Sequence, residues 1–349
     1  MGNSVVGVDI GTGSLRAVEI DGARKGKPSV VRYMEVPVPE GAVKNGEVAE
    51  VNTVAAALKQ MWSTGGFKSR KVVLGVGNPK VLVRDLTVPL RSRREILAAL
   101  PFQVQDMLPV PVVDALLDFY PVKEGTSDSG PVVSGLLVAA VKEAVMANVT
   151  AVQRAGLTPV EVDLLPFALN RVLSRGSRSA GTVAMVDIGA TATNVLVATD
   201  GVPQFVRIIP VGGSDVTRAI VGRLGVTPEV AEAGKRQIGL TVGSGAVGHE
   251  EIVDIIRELT NDLLNSLRNT LSFYINSRNG QQIDRVVLSG GGSNMPSFAA
   301  ALGELTRLPV SQENPFDNVT VAKNADRSVA PADPGDLTVA LGLALGSIA

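Results

Sequence analysis

Two short stretches hold the residues of this sequence best suited to chemistry. Asp9-Ile10-Gly11-Thr12-Gly13-Ser14 and Asp187-Ile188-Gly189-Ala190-Thr191-Ala192 each put an aspartate at the end of an apolar run and follow it with small and hydroxyl residues. A phosphate chain needs backbone N–H groups converging on it, and glycine or another small residue lets the backbone come close. Gly11, Thr12, Gly13 and Ser14 meet that need, as do Gly189, Ala190 and Thr191, with Thr193 closing the second stretch. An aspartate repels phosphate, since both are anions. It can instead hold a hydrated Mg²⁺, which keeps much of its water and takes a few carboxylate contacts. Asp9 and Asp187 suit that role, one from each stretch, and Arg16 stands where a cation can neutralise phosphate charge. A single Asp-Ile-Gly turn has an ordinary reading, because Asp and Gly are common turn formers. Two copies, each flanked by apolar strands, favour a split anion-binding site.

Two further stretches belong with these. Residues 286–288 read as a buried strand that runs into Ser289-Gly290-Gly291-Gly292-Ser293-Asn294 and then a helix from about Pro296. Such a turn offers backbone for packing against a flat base, and it lacks the G-x-x-x-x-G-K-S/T of a P-loop. Ala231-Glu232-Ala233-Gly234-Lys235 reads as a short helix with Glu232 and Lys235 three apart on one face. On its own that pair reads as a solvated ion pair.

The elements around these stretches repeat. Residues 5–8 and 15–20 form a predicted hairpin around the first turn, 30–36 a third strand, 53–64 a helix capped by Asn52, and 71–76 a buried strand. Strands at 183–186 and 195–198 flank the second turn in the same way, so the opening is duplicated and a cleft between two related domains is expected. Between them, strand 81–88, helix 91–107 with Pro101 inside it, strand 115–122, a polar loop at 124–130, strand 132–141 and helix 142–155 make a compact β-α-β-β-α unit. A long amphipathic helix spans 251–277, its stripe of Ile252, Ile256, Leu259, Leu263, Leu267, Leu271 and Tyr274 reading as core.

Composition narrows the function. Apolar residues make up 45% of the 349, enough to bury two cores. A net charge of −1 and an aromatic content of 3% argue against nucleic-acid or membrane-surface binding. With no cysteine and a single histidine, His249 in a Gly243, Gly245, Gly248 loop, thiolate catalysis, histidine triads and zinc sites drop out. No signal peptide is read, because Asp9 interrupts the first apolar run, and Val6 spoils the myristoylation pattern of Met1-Gly2-Asn3-Ser4. No uncharged run is long enough to span a membrane, so a soluble, cytoplasmic protein without membrane insertion is expected.

With these pieces in this order, the chain resembles the superfamily of actin, DnaK chaperones and sugar kinases over essentially its whole length. The resemblance implies a duplicated two-domain, actin-like (ribonuclease H-like) α/β fold that binds ATP and Mg²⁺. On that pattern residues 9–14 are the first phosphate motif and 187–193 the second. Ser289 to Asn294 form the adenosine motif, and 157–173 and 338–347 are the connecting helices with their lead-ins. The resemblance also places Gly212 and Gly213 near the phosphates and makes Glu232 and Lys235 nucleoside contacts. It sets the first domain at 1–80 and 156–180, the inserted subdomain at 81–155, and the second domain at 181–349, with its smaller part at about 214–285.

The inserted unit is similar to the subdomain shared by the FtsA cell-division and PilM pilus-assembly families. Arg94-Glu95-Ile96, Leu108-Pro109-Val110-Pro111, Leu117-Asp118-Phe119-Tyr120 and Asn194 are closer to the PilM form. FtsA ends in a linker and a membrane-binding helix, and no such tail is expected after Ala349. One departure stands out: where related ATPases carry a Glu before Pro to orient the attacking water, this chain has Leu165-Pro166. Leucine can neither accept a proton nor polarise water, so slow or negligible hydrolysis is expected. The family implies an assembly factor that binds the cytoplasmic N-terminal peptide of the inner-membrane protein PilN, with other inner-membrane pilus components in reach. Such a factor would be drawn to the inner face of the membrane by its partner. The competing readings are an FtsA-like polymerising protein and, further off, a sugar-kinase-type phosphotransferase.

Overall fold

The computed structural model describes residues 4–21, 28–240, 250–278, 280–322, 325 and 333–346. The duplication is visible in the strand ladders. In the first sheet β1 (Val5–Ile10), β2 (Ser14–Asp21) and β3 (Ser29–Pro37) form an antiparallel meander. A small hairpin, β4 (Val43–Lys44) with β5 (Glu47–Val48), and helix α1 (Val51–Gly65) lead to β6 (Lys71–Val76), which pairs parallel to β1. The second sheet repeats the plan. There β11 (Thr182–Ile188), β12 (Thr193–Thr199) and β13 (Val202–Ile209) form the meander, and β14 (Arg285–Ser289) pairs parallel to β11. Strand β11 is buried along its whole length, which suits the apolar run at 183–186 that leads to Asp187.

Between the sheets' two halves lie the insert's β7 (Val81–Pro89), α2 (Arg93–Gln103), β8 (Ala115–Ser127), β9 (Gly130–Val141) and α3 (Lys142–Arg154), then β10 (Thr158–Leu164) and α4 (Leu165–Leu173). After β13 come α5 (Gly213–Leu224), α6 (Pro228–Ile238) and α7 (Glu250–Ser277). Beyond β14 follow α8 (Phe298–Thr306), β15 (Val310–Gln312), β16 (Thr320–Val321) and α9 (Thr338–Gly346). The sheet orders are β10-β6-β1-β2-β3-β16 and β13-β12-β11-β14-β15. Late as it is in the chain, β16 joins the first sheet, with Thr320 N donating to Pro28 O at 3.2 Å. Helix α9 packs on β1 and β2, while α4 packs chiefly on β11 and β12 and also touches β6 and β10 of the first sheet. They cross where a Cβ on Gly342 would lie 2.0 Å from Ala168 O, and α9 reaches β1 where one on Gly7 would lie 1.9 Å from Ala340 O. Both glycines are there because helix backbone occupies the space a side chain would need.

The insert is a three-stranded antiparallel sheet in the order β7-β9-β8 with α2 on one face, its core formed by Val88, Ile96, Leu100, Phe119 and Leu137. Helix α2 is shorter than the predicted 91–107. Ser92 and Glu95 make a capping box at its start, Pro101 falls near its end, and a separate 3₁₀ turn covers Gln105–Met107. The predicted polar loop at 124–130 is an exposed hairpin arm instead, with Thr126 opposite Pro131 and Gly130 turning at φ +116°. A strand pair with water on both faces lacks the alternation that marks a half-buried strand, so it reads as a loop. At α1 the N-cap is Glu50 rather than Asn52, and Thr53 Oγ1 donates to the Glu50 carboxylate at 2.8 Å.

Helix α7 follows expectation: Ile256, Leu263, Leu267, Leu271 and Tyr274 are core, with Ile252 and Leu259 packed at its margin. The insert is less peripheral than its place in the chain suggests. Helix α3 buries Ala151 and Val152 in the first domain's core, and Val81, Leu136 and Ala140 share an apolar cluster with Met185 and Val206 of the second sheet. The rings of Tyr120 and Phe167 sit 4.9 Å apart, and Arg278 at the end of α7 pairs with Asp85 on β7 at 2.6 Å. His249 with its neighbouring glycines, and Met1 to Asn3, lie outside the described residues.

Candidate nucleotide-binding site

The two Asp-Ile-Gly turns face each other. Each is closed by the same bond, Gly11 N to Ser14 O and Gly189 N to Ala192 O, both 3.0 Å, and their tips touch through Thr12 Oγ1 and Thr191 Oγ1 at 3.3 Å. Between the sheets lies a cavity of about 830 Å³ lined by Asp9, Gly11, Thr12, Gly13, Ser14 and Arg16 from the first turn and by Asp187, Gly189, Ala190 and Thr191 from the second. Gly213, Glu232, Lys235, Gly290, Gly291 and Gly292 complete the predicted part of the wall. A cavity of this size with a few convergent polar groups has the form of a cofactor site.

Four predicted residues stand just behind that wall. Thr193 is fully buried and donates to Val211 O at 2.8 Å. Gly212 precedes α5 and packs against the carbonyls of Gly189 and Ala190. Ser293 donates back to Gly290 O at 2.7 Å, and Asn294 bonds to Gln312 and Asp333. They shape the turns and leave the surface of the cavity to their neighbours. Gly290 is the sharpest of these turns, with φ +80° and a Cβ position 2.6 Å from Ile188 O, so only glycine fits.

Electrostatics concentrate at the aspartates. Burial pushes Asp187 up from 3.8 to about 6, and the charge of nearby Asp9 adds to the rise. Asp9 is raised as well, by burial first, with Arg16 opposing. Two carboxylates forced together in a buried place want a cation between them. Asn194 and Ser289 lie against the Asp187 carboxylate and act to lower it, and Asn194 Oδ1, also buried, has no hydrogen-bond partner among the described residues. Also among the described residues, no group of three or more Asp, Glu or His side chains forms a metal cage. Two carboxylates and open coordination positions fit Mg²⁺, which keeps several waters and shares the rest with substrate phosphates.

Arg16 is already engaged. Its guanidinium reaches Glu35 at 3.0 Å, Asp9 at 3.4 Å and Asp336 at 3.9 Å. Sequence reasoning missed Glu35 and Asp336. Glu35 could have been found, because the β2–β3 register sets it opposite Arg16. Asp336 comes from the turn before α9, far along the chain, and no local pattern marks it.

At the other end of the cavity Glu232 and Lys235 are no solvated pair. The Lys235 ammonium is buried and bonds to Glu232 at 2.6 Å, while Arg236 bonds to the other carboxylate oxygen at 2.7 Å. Burial acts to raise Glu232, yet its bonds to Lys235, Thr217 and Arg236 outweigh that and hold it at about 2. Burial draws Lys235 below its ordinary value.

Leu165 also lines the cavity. It lies over Gly75 and Gly77, whose added Cβ atoms would fall 2.4 Å and 2.5 Å from its methyl groups. Asp163, the nearest acid in sequence, is tied up by Arg171 and does not reach the cavity.

A duplicated actin-type core, two facing aspartate turns, a glycine turn beneath them and an inserted three-stranded subdomain define a protein of the actin-like fold. The model of the family described as type IV pilus assembly protein PilM matches residues 7–348, and the chain belongs to that family. It is 28% identical to the chain of a solved structure titled PilM-PilN type IV pilus biogenesis complex, covering 99% of this chain and 98% of that one at a TM-score of 0.84. MreB5 of Spiroplasma citri bound to AMPPNP matches in fold, with 13% identity, 97% and 94% coverage and a TM-score of 0.52. Among curated proteins, cell division protein FtsA of Bacillus subtilis is 25% identical over 230 residues, 58% of this chain. The match spans about half of that relative, 51% of its length. No helix among the described residues is long and apolar enough to cross a membrane.

Proposed function

We propose that this chain is a nucleotide-held assembly factor of a type IV pilus or related secretion machine. ATP with Mg²⁺ would occupy the 830 Å³ cavity, its phosphates between the two aspartate turns and its nucleoside toward Glu232 and Gly290 to Gly292. Asp9 and Asp187 would hold the hydrated metal. The domain limits read from the sequence form part of the proposal. The observation that carries it is the pairing of those aspartates across the cleft with Leu165, not a carboxylate, at the wall before Pro166. Water entering there meets methyl groups, so general-base assistance is missing and ATP acts as a clamp. By binding the closed arrangement more tightly than the open one, it shifts the population toward the form that meets the partner.

The partner proposed is the cytoplasmic N-terminal peptide of a PilN-like inner-membrane protein, lying between the first domain and the insert and bringing the chain to the membrane face. Other inner-membrane components of the machine would follow through that contact. The test is capture of such a peptide by purified protein with and without ATP, alongside Asp9→Ala. Capture that needs ATP and is lost in Asp9→Ala supports the reading. Capture indifferent to both, or ATP turnover of tens per second, overturns it.

A further inference from the structure

Lys235 lines the cavity, yet its charged end is already spent. An ammonium has three donors and no acceptor. All three of its donors are taken within the protein: Gly213 O at 3.0 Å, Thr217 Oγ1 at 3.0 Å and Glu232 Oε2 at 2.6 Å. The residue is 7% exposed, so water has little access to rearrange these bonds. Glu232 differs. Its two oxygens accept from Lys235, Thr217 and Arg236, a carboxylate has about four lone-pair sites, so one is left over, and the residue lines the cavity.

The bond to Gly213 O links Lys235 to the phosphate end. Gly213 is the first residue of α5, and its N–H donates to Gly189 O at 2.9 Å, while Ser214 N–H donates to Ala190 O at 2.8 Å. Those two carbonyls are the backbone of the second aspartate turn. The Gly213–Lys235 contact is also close, with a Cβ on Gly213 falling 3.5 Å from Nζ. A continuous path therefore runs from the ammonium on α6, through the start of α5, to the turn that carries Ala190 and Thr191.

We propose that Lys235 is a positioning residue whose ammonium fixes the start of α5, and through it the second phosphate turn, while Glu232 is the group that meets the nucleoside. This rests on the nucleotide reading of the cavity. Under it, losing the amine harms binding of the phosphate chain whether or not a nucleoside is attached.

The experiment uses Lys235→Met, which keeps the stem and removes the donors, and compares Mg²⁺-ATP with Mg²⁺-tripolyphosphate by calorimetry. Hydrogen exchange of the peptide carrying the Gly213 and Ser214 amides is followed without ligand. Both affinities are expected to fall, tripolyphosphate included, by about tenfold or more, with faster exchange at those amides, because a buried charged hydrogen-bond set is broken. Weaker ATP with unchanged tripolyphosphate and unchanged exchange would make Lys235 a direct nucleoside contact and overturn the proposal. Should the wild-type chain bind neither ligand, the nucleotide reading fails, and the exchange result still decides whether Lys235 holds α5. Thr217→Val takes away one acceptor of the amine with less risk to folding, and the same pattern at smaller amplitude is expected.

Discussion

Replacing Asp187 by Asn is expected to make the ligand-free protein more stable while removing its response to Mg²⁺-ATP. In the folded chain Asp187 is raised from 3.8 to about 6, burial first and Asp9 second. The folded state therefore holds the proton more tightly than the unfolded state does. The group's contribution to stability is full below about pH 3.8 and is lost as the pH rises through about 6. Above that range the buried charge costs the difference between 3.8 and about 6, at about 1.36 kcal/mol per pH unit, or about 3 kcal/mol. Asn carries no charge and should recover most of this at pH 7.5, less about 1 kcal/mol for an amide placed among groups suited to a carboxylate.

Urea unfolding of the ligand-free wild type and variant at pH 7.5 and at pH 4.5 measures the effect. A clear advantage for Asp187→Asn at pH 7.5 that shrinks toward pH 4.5 is the expected result. Mg²⁺-ATP at 100 times its dissociation constant should add about 2.7 kcal/mol to the wild type and little to the variant. A variant less stable than the wild type at pH 7.5, or a gap that ignores pH, would show that the Asp187 charge is already satisfied without a cation.

Three further outcomes follow from the geometry. Leu165→Glu should raise ATP hydrolysis by about a hundredfold, the low end of what a placed general base supplies, and an unchanged rate in a phosphate-release assay would place the deficiency elsewhere. Gly290→Ala should cost about 2 to 4 kcal/mol in thermal unfolding, because it combines φ +80° with a Cβ 2.7 Å from Asp187 Oδ1. Gly13→Ala, with nothing within 4 Å of the new atom, should cost under about 0.5 kcal/mol, so equal losses would refute the steric account. For the mooring of the insert, Asp85→Ala should cost up to about 1 kcal/mol. Arg278→Ala should cost more, since its guanidinium also donates to Gln204 O at 2.8 Å. The double-mutant cycle closed by Asp85→Ala with Arg278→Ala measures the pair itself, and additive losses would mean the two side chains act separately.

How much of this could be read in the sequence depends on the range over which each feature is encoded. The aspartate turns were legible because a turn is local: apolar strand, Asp, small residues and a second strand suffice, and the copies at Asp9 and Asp187 support each other. Helix α7 was legible for the same reason, since one stripe at a period of 3.6 determines which side is buried. The exposed arm of β8 and β9 was not, because strands wet on both faces carry no period.

Contacts made across the chain were the least visible. Asp85 and Arg278 stand 193 positions apart, and nothing near either one announces the other. Asp336 reaches Arg16 only because α9 is laid across the first sheet. Lys235 shows the limit most clearly. The Glu232–Lys235 spacing is plain in the sequence, and a pair three apart on a helix is normally wet. Here α5 covers it, so an ion pair that would be marginal in water becomes a buried bond set with every donor assigned. A sequence pattern can name the residues at a site. Whether such a residue touches the ligand or holds the wall depends on which of its hydrogen bonds the fold has already used.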